Sequence, residues 1–304
     1  MTPPTTPSDD HVFLIGRPPI GEFIGFIRTM AVNGQTVDQG LLAEEWRRAN
    51  DHVIGLEKAE SGIADGIASS ALPTSLTDLA ERVRTDPSFA QTFRFVPVEF
   101  GLVELDRLIV YQKFINLGFI GLLKSTFPEK PTEVDIARLA FGIDQPLPPV
   151  HQMQTSPNAF SFLCASNDFR VLDTSLLQPQ QVLAPSGGRP VAHLAISVGF
   201  GVNLLNVVSA EGRLILNNGS HRAYFLREVG VTHVPCVIQR VTRRDELEFI
   251  GGDLQQNPDR YLQAPRPPIL KDYFDPALRK VVAVTKKNRS VRVQFGYEQM
   301  DVPA

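Results

Sequence analysis

Between Val37 and about Leu56 the apolar residues recur at three- and four-residue steps. Leu41, Leu42, Trp46, Ala49 and Val53 share one face, and Glu44, Glu45, Arg47 and Arg48 lie opposite. That spacing predicts an amphipathic helix with Trp46 as a core anchor. A second helix is predicted on Leu76, Leu79, Ala80 and Val83, capped by Ser75 or Thr77 and stopped at Asp86-Pro87. Phe93 to Val98 reads as a strand leading into a mixed segment that runs to Phe119. One short helix, Glu133 to Ala140, is predicted inside a Pro-rich stretch from Thr126 to Pro149. Upstream, Phe23-Ile24-Gly25-Phe26-Ile27 fits a buried strand or a short helix equally well.

After a loop at Ser186-Gly187-Gly188-Arg189-Pro190 the pattern sharpens. Val191 to Val198 and Val202 to Ser209 read as strands, Ala210 to Arg213 as a turn, and Leu214 to Leu216 as a further strand. Ser220 to Val229 has helical spacing with Gly230 as its stop, and Val234 to Val241 is again a β-branched strand. The order is strand, turn, strand, polar loop, helix, strand.

The polar loop concentrates the chemistry. Asn217-Asn218-Gly219-Ser220-His221-Arg222 stands where a strand hands over to a helix, a position rich in unpaired N–H groups at the positive end of the helix dipole. Gly219 lets the backbone approach an anion, Ser220 caps or donates, Arg222 offers a charged fork, and His221 titrates near neutrality. The plain alternative is a capped helix start with His221 and Arg222 facing solvent, and the local pattern alone does not choose between the two.

The stretch Gly212 to Tyr224, continued by Leu226 to Val231 and Val234-Pro235-Cys236-Val237, resembles the ParB/sulfiredoxin superfamily. There a Gly-x-His-Arg or Gly-x-Arg-Arg motif opens a helix and cradles nucleotide phosphates. A weaker likeness covers Val103 to Lys113, with Gln112 and Lys113 at its end. The resemblance implies an α/β (α+β) fold: a small mixed sheet with helices. It implies a nucleoside di- or triphosphate as ligand, Mg²⁺ on its phosphates, and hydrolysis or phosphoryl transfer with His221, Glu104 and Asp106 as candidate catalytic residues. The chain departs from the pattern at several points. Ser220 stands where sulfiredoxins carry their catalytic Cys, so thiol-based sulfinic acid reduction is not expected. Gln112 stands nearest to the acid of the superfamily's kinases and cannot serve as a base, while Glu104 and Asp106 also fit as plain surface residues. A non-catalytic nucleotide- or DNA-binding regulatory module is therefore the alternative, and a metal-free nuclease a third reading.

These patterns divide the chain into a disordered tail (1–10), an N-terminal helical region (11–92), the nucleotide-binding core (93–250) with an insertion at about 120–190, and a C-terminal extension (251–304). Of the 304 residues, 43% are hydrophobic and 21% charged, which supplies a substantial core. The net charge of −3 argues against nucleic acid as the main partner, and the run from Arg279 to Arg292 reads as a solvated turn between strands. Two cysteines, Cys164 and Cys236, in apolar surroundings point to buried thiols. Neither a signal peptide nor an apolar run of membrane-spanning length is evident, so a cytoplasmic protein without a membrane partner is expected.

Overall fold

The computed structural model describes residues 7–183 and 187–303. The first six residues of the expected tail, and Ser186 of the expected loop, lie outside them. The chain is mixed α and β, and its described residues form two compact units, 7–145 with 203–286, and 146–183 and 187–202 with 287–303.

In the larger unit the chain opens with strand β1 (Ser8–Leu14), helix α1 (Ile20–Met30) and helix α2 (Gln39–Ala59). The short strand β2 (Ser70–Ala71) precedes helices α3 (Thr77–Arg84) and α4 (Pro87–Thr92). Strands β3 (Val98–Glu104), β4 (Ile109–Val110) and β5 (Phe114–Asn116) lead to helices α5 (Leu117–Thr126) and α6 (Glu133–Ala140). The smaller unit holds β6 (Val150–Ser156), β7 (Ala159–Cys164), β8 (Phe169–Leu177) and β9 (His193–Phe200). The larger unit resumes with β10 (Asn206–Ala210), β11 (Arg213–Asn218), α7 (Ser220–Glu228) and β12 (His233–Arg240). Two short helices, α8 (Gly252–Gln256) and α9 (Pro258–Leu262), and strand β13 (Arg279–Thr285) complete it. Strand β14 (Arg289–Gln294) then pairs with β7 in the smaller unit.

Six strands form the main sheet in the order β2-β3-β12-β10-β11-β4. Its parallel pairs are β10 with β12 and β11 with β4. The strands from Val207 to Ile238 are buried on both faces, and α7 covers one side with Ala223, Phe225 and Leu226. A second sheet, β13-β1-β5, joins the N-terminal strand to a strand near the other end of the chain. Alternation along β1 explains its place. Val12 and Leu14 face the main core, while Phe13 and Ile15 face a smaller core with Phe23, Ile27 and Leu42 from α1 and α2.

Three expectations change. Residues 8–10, assigned to a disordered tail, are strand, because they pair with Ala283–Thr285 of β13. Phe93 to Pro97 is not strand, and β3 begins only at Val98. Asp86 does not merely stop α3 but caps α4, accepting from the Ser88 N–H at 2.8 Å with Pro87 in the first turn, and the Phe93 N–H closes that helix on the Phe89 carbonyl. The insertion starts later than expected. Helices α5 and α6 belong to the core through Ile120, Leu123, Leu139 and Ala140, and the extension contributes Tyr261, Ile269 and Tyr273 to the same core. Both cysteines are free and buried, and among the described residues no helix is long and apolar enough to cross a membrane.

Candidate functional site

The loop from Asn217 to Arg222 ends β11 and starts α7. Gly219 occupies the cap position with φ of 93°, and a Cβ there would meet Leu205 at 2.9 Å, so both the backbone conformation and the close approach require glycine. No side chain caps α7. Asn218 turns back to accept from the Gly219 N–H at 2.8 Å. Asn217 faces inward: its Nδ2 donates to Asn206 at 2.9 Å, its Oδ1 accepts from the Tyr111 hydroxyl at 2.6 Å, and Gln239 donates to the same Asn206 oxygen at 3.1 Å. This chain of amides fixes the end of β11 against β10 and β12. Because Val110 pairs with Leu216, it also places Tyr111, Gln112 and Lys113 at the loop end of the sheet.

Arg222 is the main correction. It is only 4% exposed. Its Nη1 donates to the carbonyls of Leu139 (3.2 Å), Ala140 (2.8 Å) and Asn203 (2.8 Å), and its Nη2 to the Asn203 side chain at 2.8 Å. The guanidinium thus caps the C-terminal carbonyls of α6, where a cation is favoured, and it clamps the segment before β10. It is a structural clamp and not an open phosphate fork.

His221 is also engaged. Its Nε2 accepts from the Asn116 N–H at 3.0 Å, and its ring meets Phe119 edge-on at 5.6 Å. Burial, helped by the nearby His11 and Arg222, lowers its pKa to about 4, so the ring is neutral at pH 7. His11, opposite Asn116 in the β1–β5 ladder, is buried too, and its Nδ1 has no hydrogen-bond partner. Burial lowers its pKa against the opposing pull of Asp9 and Asp10. Nearby, Gly118 at the start of α5 leaves room for the Asp9 carboxylate. A Cβ there would lie 2.5 Å from Oδ1, and Lys286 pairs with Asp9 at 2.9 Å.

The candidate acids stand elsewhere. Asp106 pairs with Arg227 in the last turn of α7 at 2.8 Å, and Glu104 pairs with Arg107 at 3.6 Å beside the start of β12. Nine helical residues, roughly 13 Å of axis, separate the two ends of α7. Glu104 and Asp106 therefore cannot act on a group held at Gly219. Of the two residues from the weaker motif, Lys113 is paired with Glu22, and Gln112 donates to the Phe114 carbonyl at 3.2 Å. Among the described residues no group of three or more His, Cys, Asp or Glu side chains is placed to hold a metal ion.

Sequence reasoning missed His11 and Asp9, because neither has a partner nearby in sequence: Asn116 and Lys286 lie more than a hundred residues away. No protein-family model matches the chain, and no curated protein or solved structure matches it either.

Proposed function

We propose that this chain binds a nucleoside di- or triphosphate, with its phosphates at the start of α7, and acts as a binding module and not as a phosphotransferase. The observation that carries the reading is the uncapped N-terminus of α7 behind a left-handed Gly219. An anion there meets outward backbone amides and the positive helix end. The motif's resemblance to ParB/sulfiredoxin loops supplies the nucleotide. Ser220, half-exposed in the first turn, donates to a phosphate oxygen, and the neutral His221 holds the backbone of Asn116 beside it.

The non-catalytic version is favoured because no expected catalytic group stands ready. His221 is neutral with Nε2 engaged, Gln112 is not a base, and Glu104 and Asp106 sit at the far end of α7. Mg²⁺ in such a complex rides on phosphate oxygens.

A thermal-shift panel of ATP, ADP, CTP and GTP, with and without Mg²⁺, tests this beside Ser220→Glu. The substituted carboxylate competes for the same amides. The expected result is a nucleotide-specific rise in the wild type that the variant lacks, with no phosphate release in a single-turnover assay. No shift with any nucleotide overturns the binding reading. Phosphate release overturns only the non-catalytic part.

A further inference from the structure

Each sheet ends in two strands that have only one partner. Such an edge offers a row of unpaired N–H and C=O groups to any other strand, and proteins block it with short strands, charge or irregularity. Strands β2, β4 and β5 are blocked by length, having only two or three residues. Strand β13 carries Arg279 and Lys280, and residues 31 and 32 lie along part of it. Strand β14 carries Arg289 and Arg292. Strand β8 carries Arg170 and Asp173, and its register shifts between Val171 and Asp173. Among the described strands this leaves β6 and β9, each with a histidine as its only titratable residue.

These two open edges present different surfaces. Strand β6 is polar, with Gln152, Gln154 and Thr155. Strand β9 alternates, and its pairing with β8 gathers the apolar residues on one face. Leu194 stands opposite Leu176, Ile196 opposite Thr174, Val198 opposite Val171 and Phe200 opposite Phe169. His193, Ala195, Ser197 and Gly199 point the other way. Leu176, Leu194 and Ile196 are exposed. A two-stranded ribbon is marginal by itself and gains stability from further strands beside an apolar face. The smaller unit gives it little core, since Ala159, Cys164 and Phe169 are its only buried apolar side chains among the described residues.

Charge and symmetry select the partner. Antiparallel pairing of β9 with the same strand of a second copy, centred on Ile196, sets Ile196 beside Ile196 and Leu194 beside Val198 on the apolar face. On the other face it sets Ala195 beside Ser197 and His193 beside Gly199. Apolar side chains meet apolar ones, no like charges stand opposite, and the two-fold closes on itself.

We infer that this chain forms a homodimer through β9, giving a four-stranded sheet in the order β8-β9-β9-β8. This interface does not rest on the nucleotide reading. The seam is short, about 27 Å for eight residues, so it falls below a permanent interface and the dimer exchanges with monomer in the micromolar range.

The test is sedimentation velocity of the full chain across the micromolar range, with Ile196→Lys, with Gln152→Lys on the β6 edge, and with two cysteine variants. The wild type is expected to pass from monomer to dimer and no further. Ile196→Lys sets two ammonium groups side by side and should raise the dimer Kd at least about tenfold, while Gln152→Lys should leave it unchanged. Under mild oxidation Ile196→Cys should cross-link to its own copy. Leu194→Cys should not, because the paired register holds the two copies of residue 194 about 14 Å apart. A wild type that stays monomeric, growth beyond the dimer, undiminished association in Ile196→Lys or loss of association in Gln152→Lys overturns the assignment. Cross-linking of Leu194→Cys as fast as Ile196→Cys overturns it as well. Should Ile196→Lys fail to fold, the wild-type mass and the cysteine pair still decide.

Discussion

Two arginines in the same unit, Arg222 buried and Arg17 partly buried, are used in different ways. Arg222 spends its fork on three carbonyls and an asparagine, all from its own chain, and ties α6, α7 and the entry to β10 together. Arg17 has one carboxylate partner, Glu57, and its Nε and Nη2 are enclosed by the protein without a partner. Sequence context favoured Arg222 as the ligand-binding residue, since it sits in a polar loop at a helix start, and said nothing of Arg17. Charge and neighbours in sequence do not make an arginine a binding group.

The sharpest way to break this contrast is Arg222→Ala. Removing the clamp strands buried carbonyls at the end of α6 and opens a cavity, so it is expected to cost about 3–4 kcal/mol by chemical denaturation. A loss under about 1 kcal/mol would show that the clamp is not structural.

Acid sharpens the same side of the comparison. The folded state keeps His221 neutral down to about pH 4, whereas an unfolded histidine takes a proton near 6.5. The full stability is present above pH 6.5 and is lost as pH falls from 6.5 towards 4, by up to about 3 kcal/mol from this group. His221→Gln, whose amide oxygen can accept from Asn116, should flatten that limb of the stability–pH curve. An unchanged curve would assign the acid loss to other groups.

Ser220→Glu probes the end of α7 that Arg222 does not reach. A carboxylate in an uncapped first turn should raise stability by about 0.3–1 kcal/mol at low salt, and less at high salt. A fall in stability would mean that the helix end is already satisfied. The smallest change is expected at Arg17. Arg17→Met removes two unpartnered donors together with one ion pair, so stability should stay within about 1 kcal/mol of wild type. A loss as large as that of Arg222→Ala would erase the distinction between the two residues.

The legible parts of the fold are those whose signal is local. Helix α6 sits where its spacing placed it, since Thr132 and Asp135 close a capping box around its first turn. Helix α7 ends at a left-handed Gly230 because glycine carries that conformation cheaply. The loop at 217–222 was found because its residues are contiguous. Its chemistry was misread at Arg222, whose partners lie some eighty residues upstream in α6. Asp86-Pro87 showed a break but not that a new helix starts there, because a cap and a stop use the same residues. A cleft lined by residues 14–18, 110–113 and 260–268 was not legible at all, since no local pattern links those segments.

The pairing of β1 with β13 also orders events during synthesis. His11 cannot meet Val282, nor Val12 meet Val281, until nearly the whole described chain has left the ribosome. At ordinary translation speeds the N-terminal strand waits on the order of tens of seconds. Over that interval β5 can pair with one edge of β1, while the edge that meets β13 has no partner strand. The three-stranded sheet β13-β1-β5 is therefore completed only after Thr285 has emerged, and a chain stalled before that point keeps one edge of β1 open.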